Sequence, residues 1–229
     1  MMSISDNLQA IRLRIAAAEK AAGRSPASVQ LLAVSKTKPD ADIMAAFAAG
    51  QRAFGENYVQ EGCDKVHRLA SAGHVIEWHF IGPLQGNKTR AVAEAFDWVH
   101  AIDRDRIAQR LSQQRDPQRP PLNVCIQVNV SAEATKSGVA PDGLGTLADA
   151  IAVLPNLRLR GLMAIPEPTD DVALQRTRFA HLRQLRDDLN RRGHDLDTLS
   201  MGMSQDMEAA IAEGATIVRV GTALFGARA

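Results

Sequence analysis

Short apolar, β-branched runs alternate with longer helical patterns along the whole chain, and this alternation is typical of parallel strands joined by helices. Eight runs predict strands, at residues 31–35, 52–55, 77–81, 98–102, 123–130, 158–164, 198–201 and 216–220. The segments between them predict helices at residues 40–49, 57–70, 88–96, 104–114, 142–153, 170–192 and 205–212. Eight strands connected in this way predict a (β/α)8 TIM barrel.

A further helix is expected before the first strand, over residues 5–22, with Ser5 as its N-cap and Gly23 after its end. An open, doubly wound sheet is the competing architecture, and periodicity alone does not exclude it. No Gly-x-Gly-x-x-Gly sequence follows the first strand, which removes the dinucleotide-binding signal usual in that fold. We therefore favour the barrel, as one domain over residues 1–229, because no change of composition marks a linker.

The composition is that of an ordinary globular protein, with 45% hydrophobic and 23% charged residues. The chain carries 27 basic and 26 acidic residues, so its formal net charge of +1 creates no field that favours nucleic acid or an anionic membrane. The arginine-rich stretch at residues 176–192 is interleaved with acidic and apolar residues, which predicts an amphipathic helix instead of a nucleic-acid site. Any anion must therefore be bound locally.

The cysteines and the terminal sequence indicate a compartment. Two cysteines, Cys63 and Cys125, are too few for a disulfide framework and predict a reducing environment. The N-terminus has no basic segment followed by a long apolar run, and no stretch of about 18 apolar residues occurs. We expect a soluble, cytoplasmic protein. The six histidines lack metal-binding spacing, and His79 is expected to be a packed strand histidine.

Lys36 follows the first apolar run, so the barrel prediction places it at the carboxyl end of a strand, where barrel active sites form. An ammonium held against an apolar wall loses hydration, which lowers its pKa and raises the fraction of amine that condenses with aldehydes. The alternative is a lysine whose head reaches water while its stem covers apolar surface. The residues alone leave both interpretations open.

Other strand ends carry residues suited to an anion. Gly221 and Thr222 follow the last strand and suit a phosphate cradle, or they form a plain turn. Ser200 and Ser204 are candidate hydroxyl donors there, and Ser204 is alternatively the N-cap of the helix that follows. Arg219 lies inside the last apolar run and needs a partner, which is either a bound ligand or an acidic residue such as Glu56.

These segments occur together in an order that resembles the YggS/PROSC family of pyridoxal phosphate (PLP) homeostasis proteins, over nearly the whole chain. The motifs that carry the resemblance are LLAVSKTKP at 31–39, FGENYVQE at 54–61, WHFIGPLQ at 78–85, QVNV at 127–130, KSG at 136–138, RGLMAIP at 160–166, LSMGMS at 199–204 and VRVGT at 218–222. The chain departs from the family pattern at Gly86 and at Ala134-Thr135, which lie in loops.

The resemblance implies a single-domain barrel similar to the N-terminal domain of alanine racemase, with PLP held as an internal aldimine on Lys36. It further implies the remaining cofactor-binding residues: Ser200, Gly221 and Thr222 at the phosphate, Met201 beside them, Arg219 at the pyridine nitrogen and Asn57 along the cofactor. Arginine does not readily give up a proton, so the pyridine nitrogen is expected to stay unprotonated and the ring to be a weaker electron sink.

The function that the resemblance implies is PLP homeostasis without catalysis: a protein that binds PLP, shields it and hands it over, with apo PLP-dependent enzymes as candidate recipients. We expect a monomer. Lys38 and Lys136 are candidate secondary sites for the aldehyde. The alternative is a weak PLP-dependent racemase or aldolase with Lys36 as its only base. A two-base racemase needs an acid or base opposite the lysine, and Tyr58, the only tyrosine, is expected to have a packing or cofactor-lining role. Another alternative is a barrel that binds some other phosphate ester.

Overall fold

The computed structural model describes residues 3–131 and 137–226, and Lys136 lies outside this part of the chain. Eight parallel strands form a closed barrel in sequence order, and the last strand pairs with the first. The strands are β1 Gln30–Val34, β2 Ala53–Glu56, β3 Glu77–Phe80, β4 Trp98–Ile102, β5 Leu122–Gln127, β6 Leu157–Met163, β7 Thr198–Ser200 and β8 Ile217–Val220. The prediction of a (β/α)8 barrel is confirmed, and the open sheet is wrong.

Helices follow the strands as the pattern predicts. They are α1 Ile4–Ala21, α2 Asp40–Ala48, α3 Val59–Ser71, α4 Thr89–Ala95, α5 Asp105–Gln114, α6 Leu144–Ala152, α7 Val172–Arg191, α8 Met207–Ala212 and α9 Thr222–Phe225. Short 3-10 turns occupy Gly86–Lys88 and Pro141–Gly143. Among the described residues, no helix is both long and apolar enough to cross a bilayer.

The N-cap of α1 is Ser3, so the prediction of Ser5 is wrong. The Ser3 hydroxyl accepts a hydrogen bond from the Asp6 N–H at 3.1 Å, and the Asp6 carboxylate accepts one from the Ser3 N–H at 3.0 Å. This reciprocal capping box needs an acceptor three residues after the cap. Asp6 supplies it for Ser3, whereas Ser5 would have the apolar Leu8 in that place.

Other bounds differ from the prediction by one to three residues, and two of these differences have a clear cause. Strand β5 ends at Gln127 instead of residue 130, because the Val128 N–H still bonds to Met163 while the Asn129 N–H already turns to Val139. Helix α8 starts at Met207 with Asp206 as its N-cap, so Ser204 is not the cap.

The apolar core has an outer layer and an inner layer. Alternate strand residues such as Phe54, Phe80 and Leu199 face the helices and are fully buried. The barrel interior contains a small cluster formed by Leu32, Ala53, Ile81 and Ile217, with Val34 packed against it. Polar side chains also lie in the interior, among them His79, His100, Ser200 and Arg219, each no more than 4% exposed. Buried polar groups need hydrogen-bond partners, and the partners of these side chains belong to the candidate functional site.

Candidate functional site

The predicted site residues come together at the carboxyl ends of four neighbouring strands. Ser200 ends β7, Gly221 and Thr222 follow β8, Lys36 follows β1, and Asn57 follows β2. Strands β7, β8, β1 and β2 are consecutive around the closed barrel. A Cβ atom built on Gly221 would lie 3.3 Å from the Val34 carbonyl oxygen, so the turn after β8 approaches the segment that leads to Lys36.

Arg219 is anchored in the barrel interior at this end. Its Nη1 donates to the Ser200 carbonyl oxygen at 2.6 Å and to the Ser200 Oγ at 2.7 Å, and its Nη2 donates to the Ala164 carbonyl oxygen at 2.8 Å. A guanidinium has five N–H donors. Within the described residues these bonds leave the Nε–H and one Nη2–H of Arg219 for a ligand.

The ion pair between Arg219 and Glu56, which the residues alone left open, is wrong. Glu56 bonds to Lys65 and Ser35 on the helix side of the sheet. Among its described contacts, Arg219 meets carbonyl and hydroxyl oxygens and no carboxylate, so burial lowers its pKa to about 10. A buried cation held only by neutral groups favours an anionic or electron-rich ligand beside it.

Asn57 carries an acceptor without a described partner. Its Oδ1 is buried and has no hydrogen-bond donor among the described residues. Gly82, in the turn after β3, packs directly on the backbone of Asn57. A Cβ atom on Gly82 would lie 2.2 Å from the Asn57 carbonyl oxygen and 2.8 Å from the Asn57 Cα. Only glycine permits this approach. A buried acceptor that is held in place and unsatisfied is suited to a ligand.

Lys36 lies in a strained turn. Thr37, the next residue, has a φ of +62°, which is a rare conformation for a β-branched side chain. Its N–H donates to the Glu61 Oε1 at 2.6 Å. Lys38 closes the turn through its N–H, which bonds to the Ser35 carbonyl oxygen at 3.0 Å, and its Nζ donates to the Phe225 carbonyl oxygen at 3.2 Å.

A buried ion network supports this turn from the helix side. The Lys65 Nζ donates to the Ser35 carbonyl oxygen at 2.7 Å, to the Glu56 Oε1 at 2.9 Å and to the Glu61 Oε1 at 2.6 Å. Ser35 Oγ also donates to Glu56 Oε1, at 2.6 Å. Burial raises the pKa of Glu56, against the effect of Ser35 and Lys65. The network therefore holds the backbone on both sides of Lys36.

Lys65 was not predicted as part of the site, because it lies in a polar helical stretch of the sequence. Its one signal is the spacing of Glu61 and Lys65, four residues apart on one helix face.

A second network lies in the barrel interior. Ser200 Oγ and His100 Nδ1 are 2.8 Å apart, His100 Nε2 and His79 Nδ1 are 2.9 Å apart, and His79 Nε2 and Glu77 Oε1 are 2.7 Å apart. The His79 ring stacks on Trp98. The prediction that His79 is a satisfied strand histidine is confirmed. His100, within an apolar run, was not identified from the sequence.

The remaining candidate residues, Met201, Ser204 and Tyr58, take part in neither of the two networks. Met201 is fully buried in the apolar core, so only its backbone faces polar partners, and its N–H donates to the Ile217 carbonyl oxygen. Ser204 accepts a bond from Arg14 through its carbonyl oxygen. Tyr58 is 52% exposed. No group of three or more potential metal ligands occurs in the described ranges.

A family model and a curated relative each match this chain over nearly its whole length. The family model described as "Alanine racemase, N-terminal domain" matches residues 7–229. A "Pyridoxal phosphate homeostasis protein" of Pseudomonas aeruginosa is 62% identical over 228 residues, which cover 100% of this chain and 97% of the relative.

Solved structures agree. PipY of Synechococcus elongatus, solved with PLP bound, is 37% identical with a TM-score of 0.84, over 98% of this chain and 100% of PipY. Alanine racemase of Corynebacterium glutamicum is 18% identical with a TM-score of 0.71, over 96% of this chain and 62% of the racemase, and shares the fold. The chain therefore belongs to the alanine racemase N-terminal domain family and, through relatives that it matches over its whole length, to the pyridoxal phosphate homeostasis proteins within it.

Proposed function

We propose that this chain binds PLP through Lys36, protects it and passes it on, as a carrier in PLP homeostasis. PLP supplies an aldehyde that a protein amine captures reversibly, together with an anionic phosphate and a pyridine nitrogen. The observation that carries the proposal is the placement of Lys36 and the buried Arg219 at the same ends of neighbouring strands, β1 and β8. The names of the curated relatives and the PLP in PipY support it.

The described residues fit the cofactor. Lys36 supplies the amine, and the strained Thr37 turn with the Lys65 network holds the backbone on either side of it. The spare N–H groups of Arg219 suit the pyridine nitrogen as acceptor. The unsatisfied Oδ1 of Asn57 suits a donor on the cofactor.

The phosphate is assigned to Ser200, Gly221 and Thr222, with the Met201 backbone nearby. The first N–H groups of a helix lack acceptors within it, and α9 begins at Thr222 directly after Gly221. Together with the Ser200 hydroxyl and the charge of Arg219, these donors suit an anion.

We propose a carrier instead of an enzyme because Lys36 is the one base that we assign to the site among residues 3–131 and 137–226. Catalysis of racemisation requires a second acid or base on the opposite face of the substrate. Tyr58, the chain's single tyrosine, is 52% exposed and precedes α3. The curated relatives are named for homeostasis, not for an enzymatic activity.

We further propose that apo PLP-dependent enzymes receive the cofactor, that the carrier works as a monomer, and that it works in the cytoplasm. The two cysteines are both free and buried, which suits a reducing compartment. Transfer needs a reversible bond, and an imine between an aldehyde and an amine is reversible.

The test combines binding, transfer and turnover. Purified protein that is mixed with PLP and then separated from unbound PLP is expected to keep visible absorption, and an apo PLP-dependent enzyme mixed with the loaded protein is expected to gain activity. Lys36→Ala should abolish the absorption, while Lys20→Ala, at an exposed position of α1, should leave it unchanged. A protein that stays colourless with PLP would refute the proposal. Racemisation of amino acids at rates comparable to dedicated racemases, lost in Lys36→Ala, would refute the carrier role.

A further inference from the structure

A chain of hydrogen-bonded side chains runs through the barrel interior from one end to the other. Glu77 is the first residue of β3, at the amino end, and Ser200 is the last residue of β7, at the carboxyl end. His79 and His100 connect them, through contacts of 2.7 Å, 2.9 Å and 2.8 Å. This hydrogen-bonded chain ends at the Ser200 hydroxyl, which the proposed function assigns to the phosphate.

The number of donor hydrogens on Glu77, His79 and His100 limits how these side chains can be hydrogen-bonded to one another. The hydrogen bond with His79 lowers the pKa of Glu77, so Glu77 is a carboxylate at neutral pH and accepts from His79 Nε2–H. His100 is neutral, because burial first, and then the charges of His79 and Arg219, hold its pKa well below the usual value. A neutral imidazole has one donor and one acceptor nitrogen, so two arrangements remain.

In the first arrangement both histidines are neutral. His79 Nδ1 is then an acceptor and takes the hydrogen of His100 Nε2–H, so His100 Nδ1 is an acceptor too. It takes the hydrogen of the Ser200 hydroxyl, which accepts in turn from Arg219 Nη1. The Ser200 proton points into the barrel and is not available to a ligand.

In the second arrangement His79 carries one more proton. Its Nδ1–H donates to His100 Nε2, and His100 Nδ1–H donates to Ser200 Oγ. The Ser200 oxygen now accepts from both His100 and Arg219, which are 2.8 Å and 2.7 Å away. Its own O–H is therefore directed to a ligand.

A phosphate dianion only accepts hydrogen bonds, so a phosphate in contact with Ser200 requires the second arrangement. We propose that Glu77, His79 and His100 are positioning residues for the Ser200 hydroxyl, and that a phosphate group bound there is accompanied by one proton taken up at His79. This inference rests on the proposed PLP function and adds to it a proton linkage of the phosphate site.

The surrounding charges favour this coupling. Glu77 on β3 bonds to His79, and the charge of Arg219 on β8 acts on His100. The Trp98 ring that stacks on His79 lies under the guanidinium of Arg160 on β6 and clusters with Cys125 on β5. Glu77 is an anion in direct contact with His79, whereas Arg160 and Arg219 carry the opposite charge. Asp197 bonds to Arg160 at 2.7 Å, and burial raises the pKa of Cys125 to about 12, so its thiol is neutral. A dianion next to Arg219 offsets the opposing charge at the moment of binding.

Calorimetry at about pH 8 tests the coupling, since the second pKa of a phosphate monoester is about 6 and PLP is then a dianion. Binding of PLP to the apoprotein is measured in two buffers that differ in ionisation enthalpy, which gives the number of protons taken up. Wild type is expected to take up about one proton more than His79→Gln, which does not titrate. His67→Gln, at an exposed position of α3, is the matched control and should equal wild type. Pyridoxal, which lacks the phosphate, should show no such difference.

A second measurement needs no variant. Nitrogen-15 NMR of the histidines in the wild type should show His79 changing from the Nε2–H tautomer to the doubly protonated form when PLP binds, and His100 changing from Nε2–H to Nδ1–H. Equal proton uptake in wild type and His79→Gln, or unchanged tautomers with PLP bound, would overturn the inference. Both results presuppose visible absorption of the bound cofactor, so they are distinct from a wild type that never binds PLP, which refutes the proposed function itself.

Discussion

The ammonium of Lys65 donates a hydrogen bond to the carbonyl oxygen of Ser35 at 2.7 Å, directly before Lys36 in the chain. Lys65 is 3% exposed and also bonds to Glu56 and Glu61, so all three of its N–H groups are satisfied. Desolvation makes a buried charge expensive, and removing one partner of a buried ion pair is strongly destabilising because the other charge is left uncompensated. This relationship couples the stability of the fold to the position of the proposed PLP lysine.

We predict that Lys65→Met lowers the free energy of unfolding by about 3–5 kcal/mol, because it leaves the buried Glu56 carboxylate without its cation. Urea denaturation measures the change. Lys20→Met, at an exposed helix position, should stay close to wild type. A loss in Lys65→Met no larger than in this control would show that the network does not stabilise the fold.

Glu56 should give stability a specific pH dependence. Burial raises its folded-state pKa, so the folded protein binds more protons than the unfolded chain between the ordinary pKa of a glutamate and the raised value. Its contribution is therefore favourable at low pH and is lost as the pH rises through that window. The difference in unfolding free energy between wild type and Glu56→Gln should fall with rising pH there. A difference that rises with pH, or stays constant, would contradict the raised pKa.

Gly82→Ala should disturb Asn57. The added methyl group would lie 2.2 Å from the Asn57 carbonyl oxygen, so the backbone of one turn must move. We expect a loss of about 1–3 kcal/mol in stability, typical of overpacking, and weaker PLP binding. Gly86→Ala is the control, because its methyl group would come no closer than 3.9 Å to Arg110. Unchanged PLP affinity in Gly82→Ala would remove Asn57 from the site.

Arg219→Lys should weaken PLP binding although it keeps the charge. The ammonium of a lysine cannot bond to both the Ser200 and the Ala164 carbonyl oxygens and also donate to a ligand where the planar guanidinium of Arg219 does. Losing one charged hydrogen bond of about 1.5–3 kcal/mol corresponds to roughly a 10- to 100-fold rise in the dissociation constant. Absorption titration with PLP measures it. An affinity equal to that of wild type would show that the arginine geometry is not used.

Much of the barrel was predictable because its strands are short apolar runs that recur between helical patterns. The rule that barrel sites form at strand ends then selected Lys36, Asn57 and Gly221 without a structure. Helix caps were less predictable, since Ser3 and Ser5 differ only in whether an acidic residue stands three positions later.

The two supporting networks were not predicted. Ser35 and Lys65 are 30 positions apart, and their contact depends on how α3 packs behind β1 and β2. His100 and Ser200 are 100 positions apart and meet across the barrel interior. Such contacts depend on tertiary packing, and the spacing of Glu61 and Lys65 on α3 predicts that ion pair but not the contact with Ser35.

The central claim is that Lys36 is the lysine that holds PLP, and the most direct measurement is identification of the modified residue. The protein is incubated with PLP, reduced with borohydride, digested, and analysed by peptide mass spectrometry. We predict that the stable adduct lies on Lys36 and is absent from Lys36→Ala. An adduct confined to another lysine, or no adduct at all, would contradict this account.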